Sequence, residues 1–233
     1  PVKVLSKSWS ELLAVYGGDP LVFGIDARAF PGILILAALS LLSSPRIRWG
    51  TKLTLLMWSL LAMAAPFSLH PLSRGFMDYR SLVGVSVVMW MAAFRALSSP
   101  RVLLARLSGV VVLMAAFQIL TIFNLFQASD ILVRQHDRFL AAAIHERIVA
   151  AQPALRREGA IVVDVFGKLP FETPLPRILS SSAGFSFFEW DGGNPFRMLS
   201  FMKLVGYADV EVLWHEQARR DLVPVFLKMP VWP

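Results

Sequence analysis

The chain has 233 residues, of which 56% are hydrophobic and 17% are charged, so its composition excludes an average soluble domain and predicts a membrane protein. It contains no cysteine, which excludes disulfides, thiolate metal sites and a cysteine nucleophile. Its formal net charge is +7, and because the excess of basic residues lies before Gln127, in the hydrophobic half, we interpret it as a sign of membrane topology and not of nucleic-acid binding.

Residues 1–28 are mixed and modestly polar, and we predict a loop there with one short interfacial helix near residues 9–15. Apolar runs then predict four transmembrane helices, at residues 29–45, 53–71, 81–94 and 107–129. The third run is short, because Arg80 and Arg95 bound it closely. It therefore fits a buried or re-entrant helix as well as a span.

Two short loops, at residues 45–52 and 95–106, carry arginine or lysine and no acidic residue. Such loops are typical of the cytoplasmic side of a membrane. Alternation of the spans then places residues 1–28, the loop 69–82 and everything after Ser129 outside. In a bacterium this predicts a multi-pass protein of the inner membrane whose C-terminal part lies in the periplasm.

The chain after the last span has the composition of a small α/β domain. We therefore divide the sequence at Gln127, into a transmembrane helical domain of residues 1–126 and an extracytoplasmic α/β domain of residues 127–233. A helix is predicted to begin at Ser129, or to continue the fourth span without a break. The other elements predicted in this domain are a helix at residues 194–205, a helical turn near residues 216–221 and strands at residues 160–166, 210–214 and 223–228.

The segment of residues 186–206 contains clear signals for a turn and a helix. The Asp-Gly-Gly sequence at residues 191–193 predicts a tight turn, because glycine adopts positive φ angles without strain. Asn194 followed by Pro195 predicts the first turn of a helix, and Gly206 predicts its end. The segment is therefore expected to present the residues before the helix on a tight turn.

Carboxylates and aromatic side chains alternate in the first part of this segment. Aromatic faces stack on sugar rings and carboxylates bind sugar hydroxyls, so we interpret the segment as a substrate-binding site. Its candidate residues are Glu189, Trp190, Asp191, Asn194 and Arg197. The alternative is packing: Phe187, Phe188 and Trp190 would then fill the core of a small domain, and the two acids would only cap the turn.

The sequence SFFEWDGGNPFRMLSFMKLVGY, which begins at Ser186, resembles the C-terminal part of the serotype-converting O-antigen glucosyltransferases of bacteria, the Gtr type. The apolar spans before it resemble the layout of these polytopic membrane enzymes. The resemblance implies a glycosyltransferase that needs no cofactor. Its substrates would be a sugar, most simply glucose, on a polyprenyl-phosphate carrier and a cell-surface polysaccharide such as the O-antigen of lipopolysaccharide.

In the families that the chain resembles, a carboxylate acts as general base on the acceptor hydroxyl, and the catalytic acid lies in the first external loop. We expect this loop to lie outside the present chain, and the chain to be part of a longer protein. The resemblance therefore assigns no catalytic residue here. The alternative function is a non-enzymatic, membrane-anchored periplasmic domain that binds a partner.

The external loop at residues 69–82 offers a second candidate site, because Arg74 and Arg80 lie where an apolar interior meets water. The planar fork of arginine binds two phosphate oxygens at once. Both residues are therefore candidates for holding the phosphate of a lipid carrier. The alternative is that they anchor the loop at the membrane surface by snorkelling.

Motifs for other chemistries do not form a convincing site in this sequence. His136 and His145 would lie on different faces of a helix, beyond the spacing that a zinc pair uses. Gly192 and Gly193 lack the lysine of a phosphate-binding loop. We therefore predict no metal site and no nucleotide-binding loop.

Overall fold

A computed structural model of the protein describes residues 2–68, 83–151, 161–169, 171, 185–189 and 192–228. These residues are mostly helical and include one small sheet of two strands. They form two compact units, one up to Phe126 and the other from Gln127. The transmembrane and extracytoplasmic domains drawn from the sequence stay predictions.

The described part of the first unit consists of helices. The N-terminal ones are α1 (Val2–Gly17), α2 (Pro20–Phe23) and α3 (Ala29–Leu42). They are followed by α4 (Trp49–Ala64) with a 3-10 turn (Ala65–Phe67), by α5 (Val83–Leu97) and by the first part of α6 (Val102–Ala151).

The prediction that residues 1–28 form a loop with one short helix is wrong. Leu12, Val15 and Tyr16 recur at helical spacing and are buried, so α1 has an apolar face that packs in the first unit. The Tyr16 hydroxyl donates a hydrogen bond to the carbonyl oxygen of Met63 at 3.2 Å. Burial raises the pKa of Tyr16 to about 12. Tertiary contacts therefore extend a helix that the local sequence signals only weakly.

Two helices of the described residues are long and apolar enough to cross a membrane. One is the helical segment Trp49–Phe67 with 19 residues, and the other is α6 with 50 residues. The helices α3 and α5 are also apolar but have only 14 and 15 residues. The structure thus contains two candidate membrane spans, and four spans stay a prediction.

Basic side chains from the predicted cytoplasmic loops close the C-terminal end of α3. The Nζ atom of Lys52 donates to the carbonyl oxygen of Leu42 at 2.6 Å, although only 5% of Lys52 is exposed. Arg95 donates from Nη2 to the carbonyl oxygen of Ser40 at 3.3 Å. The last carbonyl groups of a helix have no hydrogen-bond donor within the helix. Lys52 and Arg95 supply donors for two of them.

The second unit begins with the C-terminal part of α6, which runs through Gln127 without a break. This agrees with the alternative in which the fourth predicted span continues, because no glycine or proline interrupts residues 127–151. The other described elements are β1 (Ile161–Val163), α7 (Pro195–Leu204), β2 (Val210–Val212) and α8 (Glu216–Phe226).

The strands β1 and β2 are parallel, with Ile161 opposite Val210. Both lie within predicted strands but are shorter than expected. The core of this unit is formed by side chains from α6, α7 and β2 together with Phe188, which precedes α7: Leu140, Ala141, Phe188, Met198, Leu199, Phe201, Met202, Val210 and Val212. The α/β packing predicted for this unit is therefore present on a small scale.

The prediction of a third strand at residues 223–228 is wrong, because α8 continues to Phe226. His215 begins this helix by accepting a hydrogen bond at Nδ1 from the backbone N–H of Ala218, at 3.3 Å. The backbone N–H of Leu227 still bonds to the carbonyl of Val223 at 3.0 Å. A helix satisfies most of its backbone internally, even with Pro224 inside it, whereas a strand needs a neighbour, so Val223 and Val225 continue the preceding helix.

Candidate functional site

A buried carboxylate, that of Asp137 in α6, holds the segment of residues 186–206, which we name the motif segment. Asp137 is 0% exposed, and its Oδ1 atom accepts a short hydrogen bond from the Ser186 hydroxyl. Its Oδ2 atom accepts from the backbone N–H of Phe187 at 3.0 Å and from Nη1 of Arg134 at 2.9 Å. A charge removed from water is stable only when it is paired and hydrogen-bonded, and Asp137 has both kinds of partner.

This attachment places the two phenylalanines of the motif in different environments. Phe188 is buried in the core, as the packing alternative predicted, and its N–H donates to the Ser186 hydroxyl oxygen at 3.0 Å. Phe187 is half-buried, with its ring stacked on Phe201 at 4.7 Å. The guanidinium of Arg134 lies over the Phe187 ring at 4.3 Å. Of the two rings, Phe187 is therefore the less buried, with Phe201 and Arg134 packed against it.

The residues Phe187 to Glu189 form a turn. The N–H of Glu189 donates to the Ser186 carbonyl at 3.1 Å, which closes this turn. Glu189 is half-buried. Asp191 and Trp190 lie outside the described residues, as do Arg74 and Arg80, so their proposed roles stay predictions.

Asn194 has the structural role that its sequence context predicts. Its Oδ1 atom accepts a hydrogen bond from the N–H of Phe196 at 3.0 Å, and Pro195 occupies the first position of α7. The predicted helix at residues 194–205 is thus confirmed. Arg197, the remaining candidate, is half-buried in the first turn of α7. Glu189, Asn194 and Arg197 therefore all belong to the second unit.

The glycine turn before α7 brings the motif against the loop that follows β1. Gly192 and Gly193 have φ angles of 70° and 88°, as the sequence predicts for a tight turn. Gly193 lies directly against the carbonyl group of Gly167, where a side chain would not fit. The N–H of Leu169 also donates to the Phe188 carbonyl at 2.9 Å. Two loops that are distant in sequence therefore support each other.

A groove of about 710 Å³ opens beside Phe187. We name it the Arg138 groove, and the residues that line it are Arg134, Arg138, Phe187, Phe201, Leu204, Val205 and Tyr207. Its walls thus combine aromatic rings and aliphatic side chains with two guanidinium groups. This mixture suits an amphiphilic ligand that carries an anionic group.

The two arginines of the groove differ in their availability. Arg134 is held by Asp137 and by Asp130, whose Oδ1 atom lies 3.3 Å from Nη2. Arg138 is exposed, and no described carboxylate lies within ion-pair distance of it. Arg134 therefore shapes the groove, while Arg138 is the cation that a bound anion would meet.

His145 pairs with Asp209 and contacts Tyr207, which lines the groove. The Nε2 atom of His145 lies 2.8 Å from Oδ2 of Asp209, and the His145 ring stacks on Tyr207 at 4.5 Å. His136 instead stacks on Phe171, with ring centres 3.9 Å apart. Within the described ranges, no three potential ligands come together in a way that would hold a metal ion. His145 therefore positions Tyr207 at the groove wall.

Sequence reasoning missed Asp137 and both arginines of the groove, although one signal was present. Val133, Leu140 and Ala141 are buried on the same face of α6 as Asp137. An acidic residue inside an apolar stripe is costly unless it is paired. Such a position therefore predicts a buried ion pair, with Arg134 as the neighbour at helical spacing.

Comparison with known proteins identifies no relative of this chain. A scan against protein-family models gives no match, and searches of the curated proteins and of the solved structures likewise give none. The functional assignment therefore depends on the sequence motif and on the geometry of the second unit.

Proposed function

We propose that the chain is part of an integral membrane glycosyltransferase that moves a sugar, most simply glucose, from a polyprenyl-phosphate carrier to a cell-surface polysaccharide such as O-antigen. The observation that carries this proposal is the Arg138 groove. One of its walls is Phe187 of the motif that resembles the bacterial glucosyltransferases, and Arg138 is available beside it. The groove is thus lined both by a side chain of the motif and by a guanidinium, a group that binds phosphate.

The chemistry of the groove supports a lipid-linked phosphate as the ligand. A guanidinium fork binds two phosphate oxygens, and the apolar walls suit the first carbons of a lipid chain. The helix that carries Arg138 is also a candidate membrane span. Arg138 lies nine positions beyond Ser129, the end of the predicted span, or about 14 Å along the helix axis. A carrier anchored in the bilayer can therefore reach this position with its headgroup.

The topology that accompanies this function has four transmembrane helices and places the second unit in the periplasm. We expect a cysteine introduced at Ala208 to react with an impermeant reagent added outside intact inner-membrane spheroplasts, and a cysteine at Ser98 to stay unlabelled. Both positions are exposed, and the natural chain has no cysteine to give a background signal. Equal labelling at the two positions would contradict the orientation.

The substitution Arg138→Gln tests the proposed function most directly. We expect it, when introduced into the full-length enzyme, to lower sugar transfer in membrane vesicles about tenfold or more, because a hydrogen bond to a charged group contributes about 1.5 to 3 kcal/mol. Transfer of radiolabelled glucose from polyprenyl phosphate to purified polysaccharide measures the effect. Thermal unfolding should be unchanged, since Arg138 is exposed.

Arg220→Gln provides the matched control, because Arg220 is an exposed arginine on α8 that pairs with Glu216 and lies outside the groove. We expect it to transfer sugar at the parental rate. If Arg138→Gln also retains the parental rate, the groove does not bind the carrier. The second unit would then be better explained as a non-enzymatic interaction domain, the alternative that the sequence left open.

A further inference from the structure

Four side chains form a second cluster at the ends of the two strands, and none of them lines the Arg138 groove. Asp164 follows β1 directly, and Trp214 lies two residues after β2. Phe196 of α7 and Arg219 of α8 complete the cluster, which we name the Trp214 row. The carboxyl ends of parallel strands are a common place for ligand sites in α/β units.

The row is held in a fixed geometry by a buried ion pair. The Asp164 side chain is 5% exposed, and both of its oxygens lie 3.1 Å from Nε of Arg219. The Arg219 guanidinium lies 5.6 Å from the centre of the Phe196 ring. The Phe196 ring is in turn 4.6 Å from the Trp214 ring, at an angle of 42°. The guanidinium and the indole are therefore positioned before any ligand binds.

Both ends of the row retain binding capacity. Trp214 is 75% exposed, so most of one large aromatic face meets solvent. Arg219 uses only Nε for Asp164, and its two terminal nitrogens donate to none of the residues that the structure describes. The Phe196 ring thus contacts both an exposed indole and a fixed guanidinium that has four further N–H donors.

We propose that the Trp214 row binds a neutral sugar unit of a polysaccharide. The flat apolar face of a pyranose ring would stack on the indole of Trp214, and the ring hydroxyls would accept hydrogen bonds from the terminal nitrogens of Arg219. The negative charge of Asp164 neutralises the positive charge of Arg219, so the pair donates hydrogen bonds from the guanidinium without carrying a net charge. This balance favours an uncharged polyol over a phosphate or another anion.

The surroundings of Trp214 distinguish this site from a membrane anchor. The three residues that follow it, His215, Glu216 and Gln217, are polar and exposed. An indole that inserts between lipids would be expected beside apolar residues. The polar neighbours therefore place Trp214 in an aqueous setting, where a saccharide chain can reach it.

The identification of this site as the acceptor subsite rests on the proposed transferase function, whereas sugar binding itself can be measured without transfer. The test uses the full chain in detergent and a fluorescent, lipid-free bacterial O-polysaccharide whose binding is followed by anisotropy. We expect the parent protein to bind the polysaccharide, and Trp214→Ala to weaken binding about tenfold or more. Arg219→Lys, which keeps the charge but loses the planar fork, should also weaken binding.

Two control variants show whether a loss of polysaccharide binding is specific to the Trp214 row. Trp9→Ala removes another exposed indole, 62% exposed in α1, and should bind as the parent does. Arg138→Gln should also bind polysaccharide normally while losing transfer, which separates this site from the Arg138 groove. Loss of polysaccharide binding in Trp214→Ala together with normal binding in both of these variants would establish the row as the sugar site.

The opposite outcomes would overturn the proposal. No binding by the parent protein, or equal binding by the parent and Trp214→Ala, would show that the row does not bind this class of saccharide. If brominated lipids quench the tryptophan fluorescence of the parent protein more than that of Trp214→Ala, the indole of Trp214 contacts the membrane surface instead. Normal transfer without polysaccharide binding at the row would reject this site and leave the proposed function intact.

Discussion

Replacing Asp137 with asparagine is expected to lower the free energy of unfolding of the second unit by about 3 to 5 kcal/mol. The carboxylate accepts hydrogen bonds from a hydroxyl, a backbone N–H and a guanidinium, all in a fully buried position. An amide of the same size has only one oxygen, so its NH₂ group would face one of these donors. The Arg134 guanidinium would also lose its buried counter-ion.

Asp130→Asn is the matched control for this variant. Asp130 pairs with the same arginine, at 3.3 Å, but its side chain is 48% exposed. Solvent-exposed ion pairs contribute about 0 to 1 kcal/mol, so we expect a small effect. Denaturant unfolding of the purified protein, followed by near-ultraviolet circular dichroism, measures both variants. Losses of equal size would mean that Asp137 does not fasten the motif segment.

Gly193→Ala is the second substitution with a large expected effect. Gly193 has a φ of 88°, which is strained for alanine by about 1 to 2 kcal/mol, and its Cβ would collide with the Gly167 carbonyl oxygen. The loop after β1 and the motif segment would have to separate. We expect the second unit to lose about 2 kcal/mol or more, measured by the same unfolding experiment.

The neighbouring substitution Gly192→Ala separates backbone strain from the collision. Gly192 has a φ of 70°, and a Cβ added there would meet no described atom within 4 Å. It should therefore show only the strain, about 1 to 2 kcal/mol. If Gly193→Ala were no more destabilised than Gly192→Ala, the contact between the two loops would not contribute to stability.

The elements that the sequence predicts well are those specified by neighbouring residues. Asn194, Pro195 and Gly206 define α7 because a cap and a stop act within one helical turn. The third strand was predicted wrongly for the opposite reason. Whether residues 223–228 form a strand or a helix depends on a partner strand, and such a partner cannot be identified from the local pattern.

The candidate site was predictable only in part, because its most important contact joins distant residues. Asp137 and Ser186 are 49 positions apart, and nothing local to the SFFEWD motif indicates that a carboxylate of α6 holds it. The aromatic residues were recognised, yet the sequence did not tell Phe188, which is core, from Phe187, which lines the groove. Their difference arises from the turn and from the attachment to α6.

The basic side chains at the end of α3 bear on the prediction that this short helix spans a membrane. With 14 residues, α3 is about 21 Å long, whereas the hydrocarbon core of a bilayer is about 30 Å thick. Such a mismatch would leave the last carbonyl groups of α3 near lipid, without water to bind them. Lys52 and Arg95 donate hydrogen bonds to two of these carbonyls, so a span formed by α3, which stays a prediction, would have its C-terminal carbonyl groups bonded by protein and not exposed to lipid.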